Sequence, residues 1–309
     1  MNDLIRQAIA AEAEERVDSR TVLANLHKAK NRKPMGLIFG VATLTVAAAA
    51  AAVIIPTTLK KTETAPLANA PAQEAQNVLL IGTDDERLTD ALLFARFEAD
   101  GSATMISLPR DVYAGSSGER FTGLFREDPR KLTAAVENLT GAKVDHYAAV
   151  QMSDFGRVAT AVGGVEVCLA NAVTDPRTGA SFPAGKQVLS GDQVLPFLRQ
   201  RMNLPHGDLD RVKRQQAFLA SFAKKITKDN AMELFQQVSR SVEYDDGWDP
   251  LLFSARFQGP VQVRTSTLPV GEAVVRNGVH GFAPDPAQAK KFVEEQLSGK
   301  GTAETGCVN

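Results

Sequence analysis

The sequence lacks a surplus of either charge. Its 35 lysines and arginines stand against 36 aspartates and glutamates, a formal net charge of −1 over 309 residues. That balance excludes a general nucleic-acid binder, which carries a basic excess, and makes any arginine cluster a local feature. No repeat of 20–50 residues is evident, which excludes a solenoid or propeller. Tryptophan occurs once, at Trp248, and cysteine twice, at Cys168 and Cys307, so one pairing alone is available. In an oxidising compartment that pair would tie the end of the chain to its middle. Chain-entropy reasoning gives such a closure up to about 5 kcal/mol; two buried thiols are the alternative. What is present is ordinary for a globular protein, 44% hydrophobic and 23% charged residues, in a length that suits one large domain or two small ones.

One stretch has no charge at all. Met35 to Ile55 is long enough to cross a bilayer as a helix. Lys28, Lys30, Arg32 and Lys33 precede it and Lys60 and Lys61 follow, a bias that predicts a cytoplasmic N-terminus. A cleaved signal peptide competes with this reading, but the charged leader is far longer than such peptides carry. A buried core helix is the third account. The organisation expected is a cytoplasmic leader over 1–34, a transmembrane anchor over 35–55, a tether over 56–76 and an extracytoplasmic domain over 77–309, together a single-pass cell-membrane protein.

Within that domain, Asn77 to Gly82 is a short apolar run ending in glycine and reads as a buried strand. Asp84 follows at its carboxyl end, where ligands gather in open α/β sheets. Asp90–Glu98 and Thr104–Leu108 read as strands joined by an Asp100-Gly101 hairpin. With a two-residue turn, cross-strand partners sum to 201, which sets Asp90 opposite Asp111 and Ala91 opposite Arg110; a bulge shifts this by one. Carboxylates and an arginine gathered there suit a divalent cation held together with phosphate, although a surface salt bridge is the plainer account of these residues alone. Further on, the pattern predicts helices over 130–139, 152–162, 190–198 (capped by Ser190, with Pro196 implying a kink or early end), 224–240 and 285–297. Strands are expected over 144–151, 165–169 and 261–268, a turn-rich stretch over 171–185 and a polar loop over 243–250.

The most informative stretch is Gly207 to Phe222. Asp208, Arg211, Gln215, Phe218 and Phe222 share one stripe of a helix. Its second half is apolar and faces a core. Its first half aims a carboxylate, a guanidinium and an amide at the same interior, and unpaired buried charge is costly, so this end opens onto a polar cavity. Arg199 and Arg201 project to one side if their segment is extended. An anion, phosphate above all, would satisfy such arginines; a surface helix with solvated charges is the bland alternative.

Together these pieces resemble the LytR-CpsA-Psr family of bacterial cell-envelope proteins, with cysteine placement similar to actinobacterial members. The matching stretches, in the family's order, are N-V-L-L-I-G-T-D (77–84), T-D-A-L-L (89–93), I-S-L-P-R-D-V-Y (106–113), K-L-T-A-A (131–135), D-H-Y-A-A-V (145–150), V-G-G-V-E-V (162–167), L-S-G-D-Q-V-L (189–195), R-Q-R (199–201) and G-D-L-D-R-V-K-R-Q-Q (207–216). The resemblance implies an α/β fold, an αβα sandwich around a mixed central sheet, with a hydrophobic tunnel for lipid. Leu92, Phe94, Phe155, Phe197, Phe218 and Phe222 are available to line such a tunnel, though core is their default role. It implies a transferase that moves a glycopolymer with its terminal phosphate from a polyprenyl-pyrophosphate carrier to peptidoglycan at the cytoplasmic membrane. By resemblance Asp84 and Asp90 bind Mg2+ or another divalent cation, and Arg110, Lys131, Arg199, Arg201, Arg211 and Gln215 hold the pyrophosphate. Arg110 and Arg211 polarise it, Asp208 supports them, and Asp111 is a candidate for assisting deprotonation. A lipid-pyrophosphate hydrolase and a non-enzymatic lipid-phosphate-binding regulator are the competing functions. Two departures stand out: Leu88 replaces an arginine usual in the family, with Arg87 one step earlier, and Pro196-Phe197 replaces a commoner alanine-tyrosine pair.

Overall fold

The computed structural model describes residues 74–309 apart from 116–117, 226–229, 231–233, 235, 238–240, 251–252, 254–261 and 302–305. The expected leader, anchor and nearly all of the tether lie outside these residues, as does most of the helix expected over 224–240. Among the described residues no helix is long and apolar enough to cross a membrane.

The strands are β1 (Gln76–Thr83), β2 (Thr89–Phe97), β3 (Ala103–Ser107), β4 (His146–Gln151), β5 (Val165–Leu169), β6 (Val173–Thr174), β7 (Ser181–Phe182), β8 (Gly185–Leu189), β9 (Val242–Tyr244), β10 (Val263–Thr267), β11 (Glu272–Arg276) and β12 (Val279–Ala283). The α-helices are α1 (Phe121–Glu127), α2 (Pro129–Thr140), α3 (Phe155–Ala161), α4 (Val194–Arg199), α5 (Asp208–Lys225) and α6 (Pro286–Leu297). A six-stranded mixed sheet in the order β10-β3-β2-β1-β4-β9 forms the centre, with β1 parallel to β4, β10 parallel to β3 and the other neighbours antiparallel. Side chains alternate along β1. Val78 and Leu80 enter one core, with Phe155, Phe197, Phe218 and Phe222, while Leu79 and Ile81 enter the other, with Phe121, Leu132 and Val293. Both faces are covered, which is why β1 reads as an unbroken apolar run. The expected αβα sandwich is the observed architecture.

The hairpin between β2 and β3 corrects the expected register. Partners sum to 200, as in Leu93 with Ser107 and Phe97 with Ala103. The turn has three residues, Ala99 to Gly101: Glu98 N donates to Ser102 O at 2.9 Å, and Gly101 adopts φ 82°. This is a type of loop that places glycine in the left-handed region. Asp90 therefore falls in line with Arg110, not Asp111. Three other differences follow from side-chain packing. The stretch 171–185 holds the β6–β7 hairpin, with β8 paired to β5 beyond it. A β11–β12 hairpin turns at Asn277-Gly278. Ser190 caps nothing with its side chain, because a 3-10 turn intervenes and α4 begins at Val194. Pro196 then lies in the first helical turn, where its missing N–H costs no intrahelical bond.

Cys168 and Cys307 are disulfide-bonded. The bond fastens a C-terminal strap beside β5, where Val308 N donates to Cys168 O at 2.9 Å and Ala170 N to Val308 O at 2.7 Å. Replacing Cys307 with serine is expected to lower the free energy of unfolding by about 2–4 kcal/mol, read from urea titrations of the two proteins.

Candidate functional site

The C-terminal end of β1, the start of β2, the loop after β3, the end of α4 and the first turns of α5 meet at one end of the central strands. Asp90 is 4% exposed and carries an arginine on each oxygen: Arg110 Nη1 lies 2.6 Å from Oδ1 and Arg199 Nη2 2.6 Å from Oδ2, with Arg211 Nη1 3.7 Å away. Asp208 Oδ2 accepts from Arg211 Nη2 at 2.7 Å and from Arg110 Nε at 3.3 Å, and Arg201 Nη1 stands 3.9 Å from its other oxygen. Asp84 Oδ1 is capped by the amides of Glu86 and Leu88 at 3.0 and 2.8 Å, and its Oδ2 faces Arg199 at 3.9 Å. Segments more than a hundred positions apart in sequence thus share one ion-pair network.

A cavity of about 470 Å³ opens onto this network. Its lining has five arginines, Arg110, Arg177, Arg199, Arg201 and Arg211, against the carboxylates Asp84, Asp90 and Asp175. Local cationic excess in a chain of balanced charge marks an anion site. Arg211 is 2% exposed, and its Nε is buried with no acceptor; an orphaned donor at a cavity wall suits a ligand oxygen. Burial pushes the Arg211 guanidinium down to about 10, against the pull of Asp208. It stays charged at neutral pH.

Asp111 lies beside this network. Arg120 Nη1 holds its Oδ1 at 2.5 Å and also donates to His280 O on β12 at 3.0 Å. Gly281 makes that approach feasible, since a Cβ there would stand 2.7 Å from Asp111 O. Burial, then the negative charge of Asp208, raises the Asp111 carboxyl above the usual range despite Arg110 and Arg120. Burial also raises Asp208, but Arg211 and Arg110 outweigh it and hold that carboxyl below the usual range. Of the two carboxyls, Asp111 is therefore the more easily protonated.

Not every expected residue joins. Lys131 donates to Glu127 at 2.7 Å and lines a separate groove of about 630 Å³ with Tyr113 and Arg276. Gln215 is buried and donates to Leu198 O at 3.1 Å and Asp90 O at 3.4 Å. Arg87 turns away to Glu243, at 2.6 Å, and over Phe125, so it does not replace the arginine that Leu88 displaces. Beneath the cluster, Leu80, Ala91, Phe155, Phe218 and Gln215 line an apolar pocket of only about 30 Å³, room for about a water molecule or two. Of the residues offered as tunnel lining, Leu92 and Phe94 point to the opposite core, and Phe197 and Phe222 are packed away from the pocket wall.

Sequence reading missed Arg120 and Arg177. Arg177 is carried over the cavity by the turn of the β6–β7 hairpin, where the buried Asp175 accepts from Arg177 N at 2.7 Å and Thr178 N at 3.3 Å. The one local signal is the Asp-Pro pair at 175–176, a turn marker, which says nothing of what the turn overhangs. Arg177→Ala is expected to weaken binding of a phosphate-type anion about tenfold, the loss of one charge-assisted contact, read by calorimetric titration.

Among the described residues no three His, Cys, Asp or Glu side chains are grouped to hold a metal. Asp84 and Asp90 are the carboxylates that bracket Arg199 at the cavity wall. Magnesium is commonly held by one or two carboxylates plus substrate phosphates and water. Both Asp90 oxygens are taken by Arg110 and Arg199, so a cation held by this pair would have to draw Asp90 away from a guanidinium that a bound anion then satisfies.

The LytR_cpsA_psr family model matches residues 42–298. The chain is 35% identical over 266 residues to the cell wall biosynthesis protein LcpA of Corynebacterium glutamicum, covering 69% of this chain and 51% of that protein. It is 28% identical over 187 residues to the polyisoprenyl-teichoic acid–peptidoglycan teichoic acid transferase TagU of Enterococcus faecalis, covering 56% of this chain and 61% of that protein. The chain thus spans roughly half to three-fifths of these curated relatives. The crystal structure of B. subtilis TagU shares the fold, with TM-score 0.55 at 20% identity over 76% of this chain and 100% of that one.

Proposed function

Because the chain belongs to the LytR-CpsA-Psr family, we propose that it is a divalent-cation-dependent phosphotransferase of cell-wall assembly. It moves a glycopolymer-phosphate from a polyprenyl-pyrophosphate carrier to a sugar hydroxyl of peptidoglycan. The observation that carries this reading is the convergence of Arg110, Arg199, Arg201 and Arg211 on one cavity directly above an apolar pocket. The cell-wall and transferase roles of these relatives point the same way.

The arginines bind the pyrophosphate and align its phosphorus with the incoming hydroxyl, since phosphoryl transfer depends on positioning and charge neutralisation. Asp84 and Asp90 are the residues that would hold a divalent cation, which would supply charge neutralisation at the phosphate oxygens. The acceptor oxygen attacks the glycan-bearing phosphorus, the P–O bond to the polyprenyl phosphate breaks, and Asp111 takes the hydroxyl proton. Arg120 and the hairpin behind it keep that carboxylate in place. Because Asp111 must be ionised to act, kcat is expected to rise with pH through a pKa above the ordinary carboxylate range. In Asp111→Asn that limb of the pH profile disappears. The apolar pocket must widen to admit a prenyl chain, by α5 moving off the sheet. The uncharged segment 35–55 holds the domain at the outer face of the membrane that carries the donor, and protease access on whole cells tests this topology.

The decisive experiment supplies the purified chain with a lipid-pyrophosphate-linked glycan and magnesium, with and without peptidoglycan. Acceptor-dependent release of polyprenyl phosphate is the expected result. Release without acceptor would make the protein a hydrolase, and binding without turnover a regulator.

A further inference from the structure

Among the described residues Arg214 is the largest side chain with no exposed surface, and it does not line the cavity. Burial pushes its guanidinium down to about 10, opposed by Asp210 one turn earlier. A buried cation is costly unless hydrogen bonds recover the lost solvation, so its contacts have to be good ones. Nη1 donates to Gln200 Oε1 at 2.7 Å and Nε to the main-chain oxygen of Asn309 at 2.5 Å. The guanidinium lies over the rings of Phe197 at 5.0 Å and Phe182 at 6.0 Å.

Gln200 and Phe182 belong to segments that line the cavity, and Asn309 belongs to the C-terminal strap. Gln200 is fully buried, in extended backbone with φ −61° and ψ 131°, between Arg199 and Arg201. Gln200 is the extended residue that follows α4, and with its side chain seated inward both flanking arginines line the cavity. Phe182 closes the β6–β7 hairpin that carries Asp175 and Arg177. Arg214 itself sits on α5 one turn from Arg211. Asn309 arrives on the strap that the Cys168–Cys307 bond fastens beside β5.

We infer that Arg214 is a positioning residue: the Cys307–Asn309 strap holds Arg214, Arg214 holds Gln200, and Gln200 sets the Arg199/Arg201 pair to receive a pyrophosphate group. This rests on the proposed function for the identity of the anion, and on the contacts above for the rest. The disulfide is thereby part of the binding site, although neither sulfur touches it.

The test measures calorimetric binding of inorganic pyrophosphate, in magnesium, to the full chain and its variants. Gln200→Leu removes the acceptor of Arg214 while leaving every cavity arginine in the chain. It is expected to weaken binding about tenfold, the worth of a charge-assisted hydrogen bond, and Gln200→Glu, which keeps an acceptor, to restore most of it. Cys307→Ser is expected to give a similar loss. The double variant Cys307→Ser/Gln200→Leu should be no weaker than Gln200→Leu alone, because two breaks in one chain of contacts do not add. Multiplying losses, or a folded Gln200→Leu protein within about twofold of wild type, would overturn the inference. Arg201→Ala separates the two readings. If it weakens pyrophosphate and Gln200→Leu does not, positioning through Arg214 is wrong and the phosphate site stands; if Arg201→Ala has no effect, both fall.

Discussion

Arg211→Ala is expected to lower kcat about 10²–10³-fold, the loss that follows removal of one preorganised donor from a transition-state site. The side chain is 2% exposed, so it cannot be replaced by solvent from outside. Its Nη2 is fixed by Asp208 at 2.7 Å, and its Nε has no acceptor among the described residues. That leaves one N–H prepaid in position for an oxygen that gains charge as the pyrophosphate bond breaks. Arg211→Lys should recover little of the loss, because a compact ammonium cannot serve Asp208 and the substrate at once. Steady-state kinetics on a lipid-pyrophosphate donor decide it. A loss below about tenfold would put Arg211 outside the catalytic set.

Asp90→Asn is expected to have the largest effect on stability and to split the two halves of the site. The carboxylate is 4% exposed and lies within 3.7 Å of three guanidinium groups, Arg110, Arg199 and Arg211. Removing one partner from a buried ion pair costs about 3–5 kcal/mol, because the other charge is left uncompensated. Here several cations would be left facing one another, and urea titration should show the deficit. A ligand that binds only the folded state returns stability, so inorganic pyrophosphate should restore much of it. Without metal, pyrophosphate should bind the variant more tightly than wild type, since Asp90 no longer competes for the arginines. Magnesium-dependent turnover should be lost. Unchanged stability together with weaker metal-free pyrophosphate binding would show that Asp90 does not neutralise the arginine cluster.

Much of the candidate site was legible because its signals are local. The stripe from Asp208 to Phe222 follows the helical repeat, and the structure buries Arg211, Gln215, Phe218 and Phe222 as that repeat requires. The expected alternation of Arg199 and Arg201 needed one extended residue between them, and Gln200 supplies it. The register of β2 on β3 was off by one because the turn type depends on how Gly101 sits, which the Asp-Gly pair alone does not specify. The β11–β12 hairpin escaped notice although Asn277-Gly278 marks its turn. Its strands are short and half exposed, so their apolar pattern is faint. Lys131 was placed near the phosphates by resemblance, whereas its helix directs it to Glu127 and the neighbouring groove.

By itself the sequence determined the strands β1 to β5 and β10, the helices α2, α5 and α6, and which helix carries inward charge. These follow from periodicity and from the cost of burying charge, both properties of short stretches. Tertiary structure alone decided that Asp90 takes three arginines, that Arg177 overhangs the cavity, that Arg214 joins the strap to Gln200, and that the apolar pocket is nearly closed. Those pairings join residues tens to more than a hundred positions apart. Strand order, loop length and core packing set their distances, and no local pattern encodes them.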